Sequence, residues 1–454
     1  MREILNFVDG LMEQSSPQSP AWNVEHKLEA WQPKWNYIDG CMLKAIFDLY
    51  YAAHNNNAAK QQKYFDCFAK GSYPALQGDK KGMNPETNTL PKQHTPSLQG
   101  GYVDFAKSFV DFFVNDIEKT GCIVGYSPQE YNCDNINMGK VLFDLYALAK
   151  EKKYRLAIEL LQSQLEKQPR INAGNFWHKN IYPNQVWLDG LYMVQPFYLA
   201  YELTFNNGKN VPDSLRQFQN VYEIMRDPKT GLLYHGYDES REMFWADPKT
   251  GLSKNFWSRS IGWFCMALVD SAEILLNLSQ NKNKTTEFYR EKENFEAAAL
   301  CPSVSSVVNQ LKNILQNVIN ALFAVQDKDS KMFWQVTDAK DRPGNYLETS
   351  GTCAIAYSLM KGARLGILPG EYFCSGKEIF DAVVKNKLVL DNGAFVLKDI
   401  CLVAGLGGMP GKGNYKVRDG TFEYYVSEPK VNNDAKGVAP FLFSYAECIR
   451  GGQK

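Results

Sequence analysis

Residues 184–203, NQVWLDGLYMVQPFYLAYEL, contain the pattern that decides the fold of this chain. Polar and aromatic residues lead to Gly190, and an almost unbroken apolar run follows it. A helix that is apolar on every side is a buried helix, because a surface helix keeps one polar face. Five further segments repeat the order of polar approach, glycine and apolar run: 35–52 around Gly40, 131–149 around Gly139, 257–276 around Gly262, 346–366 around Gly351 and 433–449 around Gly437.

Amphipathic helices are predicted between the buried ones, since apolar residues there recur at three- and four-residue spacing. A buried helix alternating with an amphipathic one, six times over, predicts an all-α (α/α)6 barrel. Six inner helices then form a ring inside six outer ones. We expect one domain over residues 1–454, with short β-hairpins at the rim from 232–240 and 333–338. The predicted amphipathic segments are 108–119, 154–167, 213–225, 307–325 and 377–390.

The glycines predict close packing at the start of each inner helix, because a residue without a Cβ lets two backbones approach. The polar residues that precede the glycines should then meet at one end of the ring. That end is the predicted functional site. Its candidate residues are Tyr37, Asp39, Asp134, Asn137, Trp187, Asp189, Tyr192, Arg259, Trp263, Glu348 and Asp434.

Charge and composition exclude one class of partner and favour another. The chain has 50 Lys and Arg against 50 Asp and Glu, so its formal net charge is zero. Nucleic-acid binding needs a basic face, and we expect no nucleic-acid partner. Aromatic residues make up 13% of the chain, with 25 Tyr, 26 Phe and 9 Trp. This high share favours a carbohydrate ligand, because sugar rings stack on aromatic side chains.

The sequence also predicts where the protein works. Its first residues lack the apolar core of a signal peptide, and no apolar run approaches the roughly 18 residues of a membrane span. The ten cysteines form no C-x-x-C pair, and we interpret them as buried free thiols of a reducing compartment. We expect a cytoplasmic protein without a membrane partner, or a periplasmic one if a signal peptide was removed. Either a monomer or a dimer fits these features.

Two stretches do not fit the repeat, and a third is considered as a phosphate-binding loop. Residues 71–100 are rich in Gly, Pro, Lys, Asn and Gln, and 278–302 begin with a polar run. We expect both to be surface insertions, which either lie over the mouth of the pocket or have no role. The glycine-rich 405–413 lacks the spacing of a phosphate-binding loop and is predicted to be a mobile loop at the rim.

Two carboxylates, Asp134 and Asp189, lie at the starts of buried helices. An Asp in this position is most often a helix cap. Asp189 also has an apolar and aromatic setting, with Trp187 and Tyr192 beside it, and burial together with a nearby Asp134 would favour its protonated form. The helix N-terminus would favour ionisation instead. Asp189 is therefore a candidate proton donor, with the cap as the alternative.

Few histidines are present, and none has the spacing of a zinc site, so we expect neither a metal nor another cofactor. His178 and His235 lie beside aromatic residues on the approaches to inner helices. They are candidates for ligand binding, with a structural role as the alternative. Arg259 opens an inner helix and is a natural partner for a substrate carboxylate. It could instead pair with a carboxylate of the protein.

Seven sequence blocks, in order, resemble glycoside hydrolase family 105, the unsaturated rhamnogalacturonyl hydrolases, which are related to the unsaturated glucuronyl hydrolases of family 88. The resemblance covers about residues 35–449, apart from the two insertions. The blocks are WNYIDG (35–40), DNINMGK (134–140), FWHKNIYPNQVWLDGLYM (176–193), TGLLYHGYDES (230–240), WADPKTGLSKNFWSRSIGW (245–263), YLETSGT (346–352) and RDGTFEYYVSEPKVNNDAKGVAPF (418–441).

This resemblance implies an (α/α)6 fold and a reaction at a C4=C5 double bond. The substrate is an oligosaccharide with an unsaturated uronic acid at its non-reducing end, as pectin lyases leave it. Hydration of the double bond produces a hemiketal that collapses and releases the neighbouring sugar. The family's catalytic Asp corresponds to Asp189, with Asp134 as its partner. The residues that would line the uronate subsite are Tyr37, His178, Trp187, His235, Trp257 and Arg259.

Alternatives to the rhamnogalacturonan substrate remain. The same mechanism could act on an unsaturated glucuronyl oligosaccharide, because the two insertions leave the leaving sugar open. An ordinary inverting glycosidase of the same fold would need two carboxylates about 6.5–9.5 Å apart. An epimerase would more naturally use paired histidines. A sugar-binding protein without catalytic activity would retain its ligand without turnover.

Overall fold

Helices make up most of the residues that the computed structural model describes, which are 2–54, 101–285, 304–407 and 417–451. The predicted insertion 71–100 lies outside the described residues, as do 286–302 and 408–413. The helices, in chain order, are α1 Arg2–Glu13, α2 Val24–Leu28, α3 Tyr37–His54, α4 Gly101–Val114, α5 Ile117–Thr120, α6 Cys133–Ile136, α7 Gly139–Ala149, α8 Lys152–Lys167, α9 Leu188–Phe205, α10 Val211–Met225, α11 Ser258–Thr285, α12 Val304–Val325, α13 Thr349–Arg364, α14 Glu371–Lys387, α15 Phe422–Ser427 and α16 Ala435–Gly451.

The six glycine-centred segments form the inner ring. Helices α3, α7, α9, α11, α13 and α16 each contact the next, and α16 contacts α3, so the ring is closed. Outer helices α4, α8, α10, α12 and α14 each pack against the inner helix that precedes them. Helix α1 completes the outer layer beside α16, where Phe7 meets Phe441 edge to face at 6.4 Å. The predicted (α/α)6 barrel is confirmed.

Gly40, Gly262 and Gly351 have the close-packing role that the sequence predicts, whereas a Cβ added at Gly139, Gly190 or Gly437 would meet side chains. A Cβ added at Gly40 would lie 2.6 Å from the Cα of Met138, and one at Gly351 would lie 2.7 Å from the carbonyl carbon of Ser258. Both contacts are with backbone atoms, which cannot move aside as the end of a side chain can. Any residue larger than glycine would therefore push these neighbouring segments apart. The N-terminal ends of the inner helices therefore converge.

Short strands cross the same end of the ring. They form four antiparallel pairs: β1 Gln185–Trp187 with β2 Gly236–Asp238, β3 Phe333–Trp334 with β4 Leu347–Glu348, β5 Leu388–Asp391 with β6 Ala394–Leu397, and β7 Ile400–Cys401 with β8 Lys430–Val431. Strands do occur in 232–240 and 333–338, but the prediction that each forms its own hairpin is wrong. β2 and β3 pair with segments that are distant in the chain.

A tight hairpin occurs where the sequence analysis predicts a helix. The predicted helix 377–390 ends at Lys387, and the chain continues as β5. Asn392 and Gly393 connect β5 to β6, both with positive φ, at 48° and 82°. Two residues of this type form the turn that fits the twist of a hairpin. The Asn-Gly pair was the signal that periodicity alone overlooked.

Two further predictions need correction. Five of the described cysteines are buried free thiols, but Cys122 and Cys374 are exposed. The predicted insertion 278–302 begins inside α11, which continues to Thr285. Within this helix, Ser258–Asn277 is long and apolar enough to cross a membrane by length and composition, and 72% of that window is buried in the structure. This burial is what a position in the inner ring requires.

A buried ionic network joins the inner helices near their C-terminal ends. Glu447 is fully buried and accepts hydrogen bonds from Nε of Arg364 at 2.6 Å and from Nη1 of Arg450 at 2.8 Å. Glu273 is paired with Arg364 at 3.0 Å and with Lys361 at 2.7 Å. Three inner helices, α11, α13 and α16, are therefore tied together by charges that have little access to water.

Replacing Glu447 with Ala should destabilise the fold strongly, because two partly buried arginines would lose their shared, fully buried carboxylate. We expect the free energy of unfolding to fall by about 3–5 kcal/mol. Urea denaturation followed by circular dichroism measures this change. Asp381→Ala is the control, since it breaks an exposed pair with Lys377 and should cost less than about 1 kcal/mol. Equal losses for the two variants would contradict the role of the network.

Candidate active site

The β1–β2 pair brings Asp189 next to His235, although 46 positions of sequence separate them. Trp187 lies opposite Gly236 in the pair, and the Leu188 N–H donates to the carbonyl of His235 at 3.1 Å. Strand β1 runs directly into α9, which places Asp189 in the first turn of that helix. The two side chains therefore emerge side by side at the converged end of the ring.

The Asp189 carboxyl has two unequal oxygens. Its Oδ2 is shielded from solvent and lies 3.2 Å from Nε2 of the fully buried His235. The side chain as a whole is 14% exposed, and this exposure belongs to its other atoms. Helix α9 has no side-chain cap, so the alternative that Asp189 is only a helix cap is not what the structure shows. Oδ1 is the oxygen left to face a ligand.

Asp134 forms a second cluster with His178 and Lys179. Its Oδ2 lies 2.7 Å from Nζ of Lys179, and its Oδ1 lies 3.6 Å from Nε2 of His178. The cap of α6 is Asn132, whose side chain accepts from the Asp134 N–H at 3.0 Å. The His178 backbone holds the cluster against β1, because its carbonyl accepts from Cys133 and its N–H donates to Gln185.

Charges in this cluster are set by burial and by Lys179. Burial works to raise the pKa of Asp134, but the ammonium of Lys179 outweighs it, so this pKa lies below its usual range. Asp134 is consequently an ionised carboxylate. Burial also lowers the pKa of His178 to about 4, although the carboxylate of Asp134 opposes the change. His178 is therefore neutral near pH 7.

Both tryptophans of the predicted site, Trp187 and Trp257, are buried. The ring of Trp187 stacks on His178 at 4.3 Å and on Tyr182 at 5.1 Å, with 6% of its surface exposed. Trp257 is 3% exposed, and its centroid lies 4.8 Å from that of His235. The expectation that these aromatics cover a sugar ring needs correction, because neither indole leaves an open face. They hold the two histidines in place.

Arg259 lies beneath the site. Its guanidinium is buried, sits 4.7 Å from the Trp257 ring, and donates to the carbonyls of Cys401 and Leu402. Among the described residues, no carboxylate comes within ion-pair distance of it. The alternative of a structural pair with a protein carboxylate is therefore not found. The pKa of Tyr37 is raised well above its usual range by burial and by nearby carboxylates. The positive charge of Arg259 works in the opposite direction but does not outweigh them.

The remaining predicted residues lie at this end of the ring but serve the fold. Asp39 accepts hydrogen bonds from Trp22, Asn23 and Asn36. The side chains of Glu348 and Asp434 accept from backbone N–H groups in the first turns of α13 and α16. Three others complete the packing: Tyr192 stacks on Trp263 at 4.6 Å, and Asn137 donates to the carbonyl of Tyr37.

Three functional candidates were missed in the sequence. Lys179 forms the ion pair with Asp134, and Tyr425 places its hydroxyl 2.7 Å from Nδ1 of His235. Gln335 links Trp257 to Tyr425, since it accepts from the indole N–H and donates to the Tyr425 carbonyl. Lys179 and Tyr425 stand inside sequence blocks already singled out, so adjacency to a candidate was the available signal. Nothing in the sequence marked Gln335.

Metal binding has no obvious place here. Over the described part of the chain, no group of three or more His, Cys, Asp or Glu side chains is arranged to hold a metal ion.

Fold and site together define a glycoside hydrolase of the six-hairpin type, with two acidic side chains at the converged end of the ring. The family model described as Glycosyl Hydrolase Family 88 matches residues 12–451. The chain therefore belongs to glycosyl hydrolase family 88, and its resemblance to family 105 is confirmed by a solved relative. That structure, a family 105 glycoside hydrolase of C. acetobutylicum, is 34% identical, with a TM-score of 0.72 over 97% of this chain and 98% of its own.

Two other relatives carry named activities. The unsaturated rhamnogalacturonyl hydrolase YesR of Bacillus subtilis is 25% identical over 270 residues, which are 58% of this chain and 65% of that protein. The structure of an unsaturated glucuronyl hydrolase of a Bacillus species has a TM-score of 0.52 at 14% identity, over 78% of this chain and 81% of its own. The second likeness concerns the fold alone.

The buried His178 should make stability fall on mild acidification. Its pKa is about 4 in the folded protein, against about 6.5 in an unfolded chain, so between these values a proton binds only on unfolding. We expect wild type to lose roughly 3 kcal/mol more than His178→Gln between about pH 6.5 and about pH 4. Urea denaturation across this range measures it, with the exposed His54→Gln as control. Parallel curves for wild type and His178→Gln would contradict a buried, neutral His178.

Proposed function

We propose that this protein releases an unsaturated uronic acid from the non-reducing end of oligosaccharides by hydrating its C4=C5 double bond. One observation carries the proposal. Asp189 presents a single accessible oxygen at the converged end of the ring, beside an Asp134 that Lys179 keeps ionised. A carboxyl with one free oxygen can give a proton to one atom and then take one from another. Membership of a glycoside hydrolase family supports this reaction class.

In the proposed reaction, protonated Asp189 gives its proton to C4, and a water oxygen adds to C5. A proton of that water returns to Asp189, so the residue ends as it began. The C5 hemiketal opens to a ketone, and the hemiacetal left at C1 expels the neighbouring sugar. Overall, one water molecule is consumed, and the neighbouring sugar leaves with a free hydroxyl group. No cofactor is required for any of these steps.

Asp134 would orient the substrate and the water as a fixed negative charge. Its carboxylate is held by Lys179 at 2.7 Å, and His178 beside it is neutral near pH 7. A fixed charge near C5 favours the positive character that develops there once C4 is protonated. Asp134 and Asp189 thus have different tasks because one has a cationic partner and the other has a histidine.

The uronate carboxylate would be drawn to the cationic side of the site. The guanidinium of Arg259 is committed to two backbone carbonyls, so we assign it an electrostatic role rather than a bidentate contact. Lys179 supplies a second positive charge beside Asp134. A low-dielectric setting makes such charges effective over several ångströms.

For the leaving sugar we propose rhamnose, so that the substrate is a rhamnogalacturonan oligosaccharide. The sequence blocks shared with family 105 and the likeness to the rhamnogalacturonyl hydrolase of Bacillus subtilis support this choice. The experiment is to add the protein to a lyase digest of rhamnogalacturonan and follow ultraviolet absorbance of the conjugated double bond. Loss of absorbance with release of a rhamnose-ended product supports the proposal. If only unsaturated glucuronyl oligosaccharides are turned over, the proposed substrate changes and the proposed mechanism stays.

Asp189→Asn should abolish turnover without unfolding the protein. The amide keeps the shape of the carboxyl but cannot donate an acid proton, and we expect kcat to fall by about 10²–10⁴ or more. Initial rates and thermal unfolding are measured together. Asp39→Asn is the matched control at the start of another inner helix, and it should lower the melting temperature while retaining activity. Appreciable kcat in Asp189→Asn would remove this residue from the chemistry.

The charge of Arg259 can be separated from its hydrogen bonds by two variants. Arg259→Lys keeps the charge and Arg259→Met removes it, while both lose the fork of donors to Cys401 and Leu402. If the charge attracts the uronate, Arg259→Met should raise KM about tenfold or more, and Arg259→Lys should raise it much less. Thermal unfolding of both variants controls for the lost hydrogen bonds. Equal KM values in the two variants would show that Arg259 acts on the fold alone.

A further inference from the structure

A buried tyrosine closes the side of His235 that faces away from the catalytic candidate. Tyr425 in α15 is fully buried, and its hydroxyl lies 2.7 Å from Nδ1 of His235. The other ring nitrogen, Nε2, lies 3.2 Å from Oδ2 of Asp189. Tyrosine, histidine and aspartate therefore form one line from the interior to the site. Nothing in the reaction proposed above assigns a task to the tyrosine.

The three groups are held from several directions. The carbonyl of Tyr425 accepts from Gln335 at 3.1 Å, and its N–H donates to Thr421. The His235 carbonyl accepts from Leu188, one residue before Asp189, and the imidazole packs on the Trp257 ring. A ring fixed in this way cannot turn to exchange its two nitrogens. The direction of each hydrogen bond is then decided by where the protons are.

The tyrosine hydroxyl is the donor in its contact with His235. A phenol is a better donor than acceptor, and within the described residues its hydroxyl has no second hydrogen-bond partner. Burial and the charge of Asp189 raise the pKa of Tyr425 well above its usual range, so the phenol keeps its proton. Nδ1 then accepts, and the single proton of neutral imidazole lies on Nε2. This nitrogen lies 3.2 Å from Oδ2 of Asp189, although the two atoms are not aligned as a hydrogen bond.

We propose that Tyr425 is a positioning residue that fixes the Nε2–H tautomer of His235 and thereby confines the transferable proton of Asp189 to Oδ1. An N–H only 3.2 Å from Oδ2 leaves no room for a second proton between the two atoms, so a protonated Asp189 carries its proton on the accessible oxygen. This assignment rests on the proposed function, in which Asp189 protonates C4. The His235 proton is never transferred: C4 receives the proton from Oδ1, and the attacking water returns one to the same oxygen.

Tyr425→Phe removes the hydroxyl and keeps the ring. With Nδ1 unpartnered, both tautomers of His235 become accessible, and the Nδ1–H form turns a lone pair towards Oδ2, which draws the Asp189 proton inwards. We expect kcat to fall about tenfold to a hundredfold with KM changed by less than about twofold. Tyr424→Phe is the matched control, because that hydroxyl donates to the carbonyl of Gly405 at 2.8 Å rather than to His235. Its kcat should stay within about twofold of wild type.

The tautomer itself can be observed without any substrate. The chain has 5 histidines, so long-range ¹H–¹⁵N correlation spectra of histidine-labelled protein are tractable, and His235→Asn assigns the signal. Wild type should show the Nε2–H pattern for His235, and Tyr425→Phe should show a mixture. An Nδ1–H pattern in wild type, or an unchanged kcat in a folded Tyr425→Phe, would overturn the proposal. Failure of the proposed function would be distinct: wild type would then leave every unsaturated oligosaccharide intact while the tautomer result stood.

Discussion

The inner helices pack closely at their first turns, with backbone contact between α3 and the start of α7 and between α11 and α13. Glycines such as Gly40 and Gly351 allow an approach that any Cβ would block. Convergence at this end leaves little space between helices, so the side chains just before and after the glycines are pressed into one region. For this reason Asp134 and Asp189 both lie close enough to His178 to influence its charge, although the two carboxylates begin different helices.

Two carboxylates in similar positions receive different chemistry from their neighbours. Asp134 faces the ammonium of Lys179 and is held as an anion. Asp189 faces a buried imidazole through one oxygen and leaves the other accessible. In the proposed reaction the first is a fixed charge and the second exchanges protons, and active sites with two carboxylates commonly divide these tasks through their surroundings. The tryptophans contribute by holding the histidines, because their own faces are covered.

Much of this arrangement could be predicted from the sequence, because the repeat of glycine and apolar run is a local pattern. It predicts the inner helices, their closure into an (α/α)6 barrel and the end at which the candidate residues gather. The pairing of His235 with Asp189 could not be predicted in the same way, since it depends on the register of β1 with β2. Tyr425 lies 190 residues beyond the histidine that it contacts. The hairpin after Lys387 was not predicted, because apolar residues at helical spacing continue to Leu390, shortly before the Asn392–Gly393 turn.

The hydrogen-bond partners of Arg259 could not be predicted from the sequence. An arginine that opens an inner helix suggests a salt bridge with a substrate, and only the structure shows two backbone carbonyls in front of its guanidinium. Burial decides such cases, because a desolvated cation needs partners before any ligand arrives. Segment 400–402, which packs on the neighbouring inner helix α13, supplies them.

The proposed protonation of C4 of an unsaturated uronate by Asp189 can be followed by deuterium transfer. An unsaturated rhamnogalacturonan disaccharide would be turned over in D₂O and the product examined by NMR at early times, with Asp189→Asn in parallel. If Asp189 protonates C4, deuterium should appear on one face of C4 together with loss of the ultraviolet absorbance, and neither should occur in the variant. A released uronic acid that keeps its double bond, or deuterium distributed over both faces of C4, would contradict it.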